Sequence, residues 1–276
     1  MQGIGNDYVY VDCFREQVTD APALARRVSD RHFGVGSDGL ILICPSEVAD
    51  FQMVMYNADG SRAQMCGNGI RCVGKYVHDR GLTDKTTVTV ETLAGIKTLE
   101  LSLTDGAVSS VTVDMGAPIL KPQEIPADWA GERMIDAPVQ VDGREYRITA
   151  VSMGNPHAVA FVEDTDSLDL PVLGPKFEHL PIFPERTNTE FVQVVDGRTL
   201  KMRVWERGSG ETLACGTGCC ACVAAGVLNG FTDNEVTVSV LGGDLNILWD
   251  RTSDHIFMTG PAETVFTGIY NYKENN

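Results

Sequence analysis

The sequence predicts an α+β chain of two pseudo-symmetric domains, each a largely antiparallel sheet around a central helix, with the functional site in the cleft between them. Three observations carry this. Strand patterns outnumber helix patterns along most of the chain. Two helices share one introduction, Cys66-Gly67-Asn68-Gly69 and Cys215-Gly216-Thr217-Gly218. The landmarks around them recur at equal spacing, the mark of an internal duplication.

Residues 8–12, 40–43 and 51–56 read as short β-rich strands. Period-two alternation marks 86–91, 96–103 and 110–115, with Asp105-Gly106 as a hairpin turn between the last two. Pro118, Pro122, Pro126 and Pro138 then interrupt the pattern and set a domain boundary near the start of that stretch. The expected domains are 1–116, with 264–276 returning to it, and 117–263. Strands resume at 144–152, 157–161, 189–195, 201–205, 235–240, 244–249 and 263–270. Asp142-Gly143, Asp196-Gly197 and Gly242-Gly243 supply turns. Helices are few: 67–78, stopped at Gly81; 216–228, stopped at Asn229-Gly230; and 21–30, with Pro22 suited to a first turn.

The duplication rests on four aligned landmarks. Cys66 to Gly81 is 15 positions, as is Cys215 to Gly230. Nine positions before each cysteine a polar residue follows an aromatic one, Tyr56-Asn57 and Trp205-Glu206. Asn6 precedes Cys66 by 60 positions, and Asn155 precedes Cys215 by 60.

A chain of 276 residues accommodates two modest domains. Its formal charge of −16 disfavours nucleic acid and anionic lipid, which need clustered Lys and Arg. No stretch reaches the roughly 20 apolar residues of a membrane span. The opening residues lack the basic-then-apolar pattern of a signal peptide, so a cytoplasmic location is expected. The eight cysteines are then expected as reduced thiols. Cys13, Cys44 and Cys72 read as structural. Cys219-Cys220-Ala221-Cys222 contains a Cys-x-x-Cys spacing but has no second pair and no nearby histidine; it sits in a segment apolar on every face, which marks a buried helix.

Cys66 and Cys215 differ from the rest because each opens a helix. Unpaired N–H groups and the dipole there favour negative charge, so lowered thiol pKa values are expected. The same N–H groups can hold a carboxylate. Two such mouths facing one carbon suit proton removal from one face and delivery to the other. The helix N-termini would stabilise the enolate-like intermediate. Such a pair inverts a stereocentre with no metal, pyridoxal or flavin. The rival from another class is a metal-binding or redox protein built on the cysteine cluster.

Larger motifs then become informative. Gly3-Ile4-Gly5-Asn6-Asp7-Tyr8, Asp30-Arg31-His32-Phe33-Gly34-Val35-Gly36, and Tyr56-Asn57-Ala58-Asp59-Gly60 through Cys66-Gly67-Asn68-Gly69-Ile70-Arg71-Cys72 resemble the diaminopimelate epimerase family. So do Gly154-Asn155-Pro156-His157, Glu185-Arg186-Thr187-Asn188, and Trp205-Glu206-Arg207-Gly208 through Cys215-Gly216-Thr217-Gly218. The resemblance implies a cofactor-independent isomerase, a small-molecule substrate and a homodimer. It implies interconversion of LL- and meso-diaminopimelate, a step in lysine and peptidoglycan synthesis. Cys66 and Cys215 would be the proton donor and acceptor, assisted by His157 and Glu206. Glu206 would also meet a substrate ammonium. Asn6, Asn57, Asn155, Asn188 and Arg207 would hold the distal end, and the backbone at Gly67, Asn68, Gly216 and Thr217 the reacting carboxylate. A proline or hydroxyproline racemase on a similar fold is the nearest alternative. The chain departs from some relatives in having Gly39 where they carry Gln, and in starting at Met1 close to the first motif.

Overall fold

The computed structural model describes residues 1–272. The chain divides into two compact units, Met1–Val113 with the segment from Gly260 onward, and Asp114–Thr259. Of the segment expected to return to the first half, residues 273–276 lie outside the described residues.

In the first unit the strands Val9–Asp12, Gly39–Cys44, Phe51–Asn57, Thr87–Thr92, Gly95–Thr104 and Ala107–Gly116 lie side by side in chain order. The successive pairings are parallel, antiparallel, parallel, antiparallel and antiparallel. The second unit repeats this with Pro156–Phe161, Asn188–Asp196, Thr199–Glu206, Glu235–Val240, Gly243–Asp250 and His255–Gly260. Its pairings run through the same five senses. Two further strands, Ala137–Val141 and Arg144–Ser152, add antiparallel to the Pro156–Phe161 edge.

Four α-helices complete the units: α1 (Ala21–Ser29), α2 (Gly67–Asp79), α3 (Leu170–Glu178) and α4 (Gly216–Leu228). A constant offset of 149 positions carries α1 onto α3, α2 onto α4 and Cys66 onto Cys215. The duplication read from four landmarks therefore extends through all four helices and the six strands common to both units, while Ala137–Val141 and Arg144–Ser152 belong to the second alone.

Local chemistry accounts for the helices. Asp20 caps α1, accepting from Ala23 N at 3.0 Å, and Pro22 fits the first turn. Helix α2 is buried at every residue from Gly67 to Gly74 and again at Val77, and Gly74 lets it approach Leu99 and Leu101 of the sheet. Helix α4 is buried from Gly218 to Gly226, with Cys219, Cys220 and Cys222 at 0% exposure, so these thiols serve as packing groups. Both helices stop at a glycine with positive φ, 69° at Gly81 and 73° at Gly230, as a left-handed C-terminal cap requires.

Three expectations need correction. No strand forms over 263–270: Glu263 makes only an isolated bridge to Gln2, and Val265, Phe266 and Ile269 are 64%, 62% and 93% exposed. Alternation there reflects composition, with no partner strand to receive it. Helix α3 was not expected, because Pro171 and Pro175 mask it; Pro171 occupies the tolerant first turn and Pro175 lies near the end of a short helix. The strand Ala137–Val141 forms within the proline-rich stretch because Pro138 sits on an edge strand.

Candidate active site

The two repeated cysteines occupy equivalent places. In the first unit the strand ending at Asn57 turns back through Arg62–Ala63, and Cys66 follows as the N-cap of α2. In the second, the strand ending at Glu206 turns back through Gly210–Thr212, and Cys215 caps α4. Both caps are extended, with φ −129° and ψ 121° at Cys66, and φ −122° and ψ 106° at Cys215. That conformation aims each sulfur across the amides of its own first turn.

Cys66 is partly exposed. Its Sγ accepts from Gly69 N at 3.3 Å and donates to Asn6 Oδ1 at 3.1 Å. Asn6 is oriented by Asp38, whose Oδ2 accepts from Asn6 Nδ2 at 2.8 Å and from Asp7 N at 3.1 Å. Burial holds the Asp38 carboxyl above its usual 3.8, although the Asp7 amide, Asn6 and Arg31 pull it down. Asn68 is 2% exposed and accepts from the buried Arg71 guanidinium at 2.9 Å. Arg71 also donates to Gly67 O at 3.4 Å and Pro261 O at 3.1 Å, fixing the first turn of α2 against the returning chain. The Asn57 side chain donates to Ser61 Oγ at 3.0 Å, within its own turn.

Cys215 is 6% exposed, and Thr217 Oγ1 lies 3.5 Å from its sulfur. Asn155 Nδ2 donates to that hydroxyl at 3.4 Å, and Asn155 Oδ1 lies 3.1 Å from His157 Nε2. His157 Nδ1 is 2.6 Å from Glu190 Oε1, and both side chains are fully buried. Glu206 accepts from Thr212 Oγ1 at 2.5 Å. Asn188 bridges two segments, donating to Pro156 O at 3.0 Å and accepting from Arg207 N at 2.8 Å. The Arg207 guanidinium donates to Glu185 O at 2.9 Å.

The structure thus gathers Asn6, Gly67 and Asn68 around Cys66, and Asn155, His157, Glu206, Gly216 and Thr217 around Cys215. Asn188 and Arg207 stand together at the Glu206 turn.

One electrostatic expectation is corrected. The Cys215 thiol is pushed well above its ordinary 9.0, first by burial and then by the Glu206 and Glu190 carboxylates. Thr217 and the Gly218 amide act in the opposite sense and are outweighed. A helix N-terminus presents only about half a positive charge to a thiol, and burial together with two carboxylates outweighs it.

Sequence reasoning missed three residues. Glu190 lies beneath the first turn of α4, so close that a Cβ on Gly218 would stand 2.7 Å from its Oε1. Asp38 orients Asn6. Glu178, on α3, accepts from Trp205 Nε1 at 2.8 Å and Gly208 N at 3.1 Å, bracing the turn that carries Glu206 and Arg207. All three are acidic residues outside the cysteine motifs. The offset of 149 would have located Glu190 opposite Ile41, but not revealed its contact with His157. Gly39 also gains a reason: a Cβ there would meet Tyr56 O at 2.2 Å, so this backbone admits no side chain at that position.

Comparison with known proteins identifies the family. The family profile described as diaminopimelate epimerase matches residues 1–121 and 149–265. The diaminopimelate epimerase of Acetivibrio thermocellus is 59% identical, covering 99% of this chain and 98% of that protein. The protein of the same name from Desulfovibrio desulfuricans is 56% identical, covering 98% and 96%. Among solved structures, a Bacillus anthracis phenazine biosynthesis protein of the PhzF family superposes with a TM-score of 0.68 at 20% identity, covering 95% of this chain and 92% of that one. A hydroxyproline epimerase from Agrobacterium vitis, with bound trans-4-hydroxy-L-proline, gives 0.66 at 14%, covering 94% and 86%. At such identities these two likenesses concern the fold alone. Near-full-length identity above one half with several curated relatives, joined to paired cysteine-capped helices in a duplicated frame, places the chain in the diaminopimelate epimerase family of isomerases.

Proposed function

We propose that this protein interconverts LL- and meso-diaminopimelate by proton transfer between two thiols, without a cofactor. The observation that carries the reading is the equivalence of Cys66 and Cys215: each caps a 13-residue helix after the same strand and hairpin, in units that share six strands paired in the same senses. Racemising chemistry needs an acid and a base of the same kind, since each direction exchanges their roles.

One cysteine, as thiolate, takes the proton from the carbon that bears the reacting carboxylate; the other, as thiol, protonates the opposite face. Amides at Gly67-Asn68 and Gly216-Thr217 hold that carboxylate as charge builds on it. His157, oriented by Glu190, and Glu206 assist Cys215. Burial and two carboxylates favour the thiol form of Cys215, which suits it to the proton-donating part. Asn6, Asn57, Asn155, Asn188 and Arg207 grip the distal amino-acid end, with Glu206 meeting an ammonium. The proposed setting is the cytoplasm, as a homodimer, in lysine and peptidoglycan synthesis.

Incubation with LL-diaminopimelate in deuterated water tests the reading. One deuterium should enter at one α-carbon as the meso isomer forms. Cys66→Ala and Cys215→Ala should each lower turnover by at least about 10³-fold, with melting curves little changed. Full activity in either variant removes the mechanism, and deuterium entering only proline moves the substrate assignment to that alternative.

A further inference from the structure

Cys13 and Cys44 stand outside the site described above, and the structure brings them side by side. Asp12 pairs with Ile43 in parallel register, and Cys13 N donates to Ile43 O at 2.9 Å, so the two cysteines occupy the next rung. Both pack at the edge of one cluster, with Leu24, Val28 and Leu42, which puts both side chains on the same face. Their thiols share a hydrogen bond, and both are partly exposed. Neighbouring strands lie about 4.8 Å apart, within the Cα separation of roughly 4.4–6.8 Å that a disulfide accepts. The duplicated frame does not require this pair. The equivalent residues are Val162 and Gln193, and Val162 N repeats the backbone bond, to Val192 O at 2.8 Å.

The two sulfurs are unlike. Cys44 receives the hydrogen bond from Cys13 and has the Arg62 guanidinium nearby, and both lower its thiol pKa. Cys13 is pushed up by that same bond, by burial and by the Asp12 carboxylate. One is suited to attack and the other to resolve.

We infer that Cys13 and Cys44 form a dithiol modification site for low-molecular-weight disulfides. The Cys44 thiolate attacks one sulfur of the small disulfide, forming a mixed disulfide and expelling one thiolate, which takes up a proton. Cys13, losing its proton, then attacks the Cys44 sulfur and expels the second thiol. Two protein thiols are oxidised to one disulfide, and one small disulfide is reduced to two thiols.

The test treats the whole protein with oxidised glutathione, alkylates the remaining thiols and maps the peptides by mass. The wild type should lose both free thiols and yield a Cys13–Cys44 cross-linked peptide that dithiothreitol reverses. Cys13→Ser should stop at the glutathione adduct on Cys44, and Cys44→Ser should leave Cys13 free. Without oxidant, iodoacetamide should label Cys44 roughly tenfold faster than Cys13, since the thiolate is the nucleophile. The inference is overturned if the wild type keeps both as free thiols, or carries an adduct on Cys44 that Cys13 does not displace. The readout is covalent state rather than turnover, and the wild-type cross-link stands even if a variant misfolds.

Discussion

Beneath the first turn of α2 stands Ile41; beneath the same turn of α4 stands Glu190. The contacts are equivalent, since a Cβ on Gly69 would meet Ile41 Cδ1 at 2.7 Å and one on Gly218 would meet Glu190 Oε1 at 2.7 Å. Other paired positions diverge in the same way. Tyr8 corresponds to His157, Asn57 to Glu206, and Arg71 to Cys220. The first half puts a buried cation into its helix and an apolar residue beneath the thiol's turn. The second puts a buried acid–imidazole pair beneath the turn and leaves the helix apolar. Duplication preserved the backbone that aims two sulfurs, and substitution made their surroundings unlike. Equivalent backbone geometry therefore does not mean equivalent surroundings for the two sulfurs.

The largest effect expected from disturbing this contrast is at Arg71. Arg71→Met should destabilise the protein by about 3 kcal/mol, because Gly67 O, Pro261 O and Asn68 Oδ1 lose a buried donor. Cys220→Ala, at the equivalent position, should cost roughly 1 kcal/mol as a small packing loss. Urea midpoints for the pair would check this, and equal losses would break the contrast. Next is Gly39→Ala, where the added Cβ meets backbone at Tyr56 O; about 2 kcal/mol of overpacking is expected in the same measurement.

Glu190→Gln keeps the shape of the His157 partner and removes the charge. Turnover should fall about tenfold, roughly 1.4 kcal/mol, with KM little altered. The Glu190 carboxylate raises the Cys215 pKa, so neutralising it should shift the pH profile of Cys215 alkylation to lower pH. The wild-type thiol has a folded pKa above the ordinary 9.0, so its contribution to stability is present below pH 9.0 and is lost as pH rises from there toward the raised value. Urea midpoints on either side of that pH should fall more for the wild type than for Cys215→Ala. An unchanged alkylation profile in Glu190→Gln would show that burial and Glu206 set Cys215 without Glu190.

The smallest effects sharpen the symmetry itself. Gly81→Ala and Gly230→Ala replace glycines at φ 69° and 73° with open space around each. Each should cost about 1 kcal/mol, and the two should agree within error. Unequal losses in thermal melts would mean that the helix ends are not equivalent.

The α+β class, the duplication, most strands and helices α1, α2 and α4 were legible in the sequence. So were Cys66 and Cys215 as a matched pair, since a cysteine before Gly-x-Gly at a constant offset needs no coordinates to notice. What local patterns read correctly was what local chemistry enforces: alternation, turn glycines, caps. They failed at 263–270, where alternation found no partner strand, and at α3, where prolines disguised a helix that packing on Phe177 and Phe191 stabilises; those rings meet at 5.1 Å. Tertiary structure alone decided that Glu190 backs His157, that Asp38 orients Asn6, that Cys13 stands beside Cys44, and that burial and two carboxylates raise the Cys215 pKa. Each depends on residues distant in sequence sharing a desolvated space, and the energy of a charge is set by that space rather than by its neighbours along the chain.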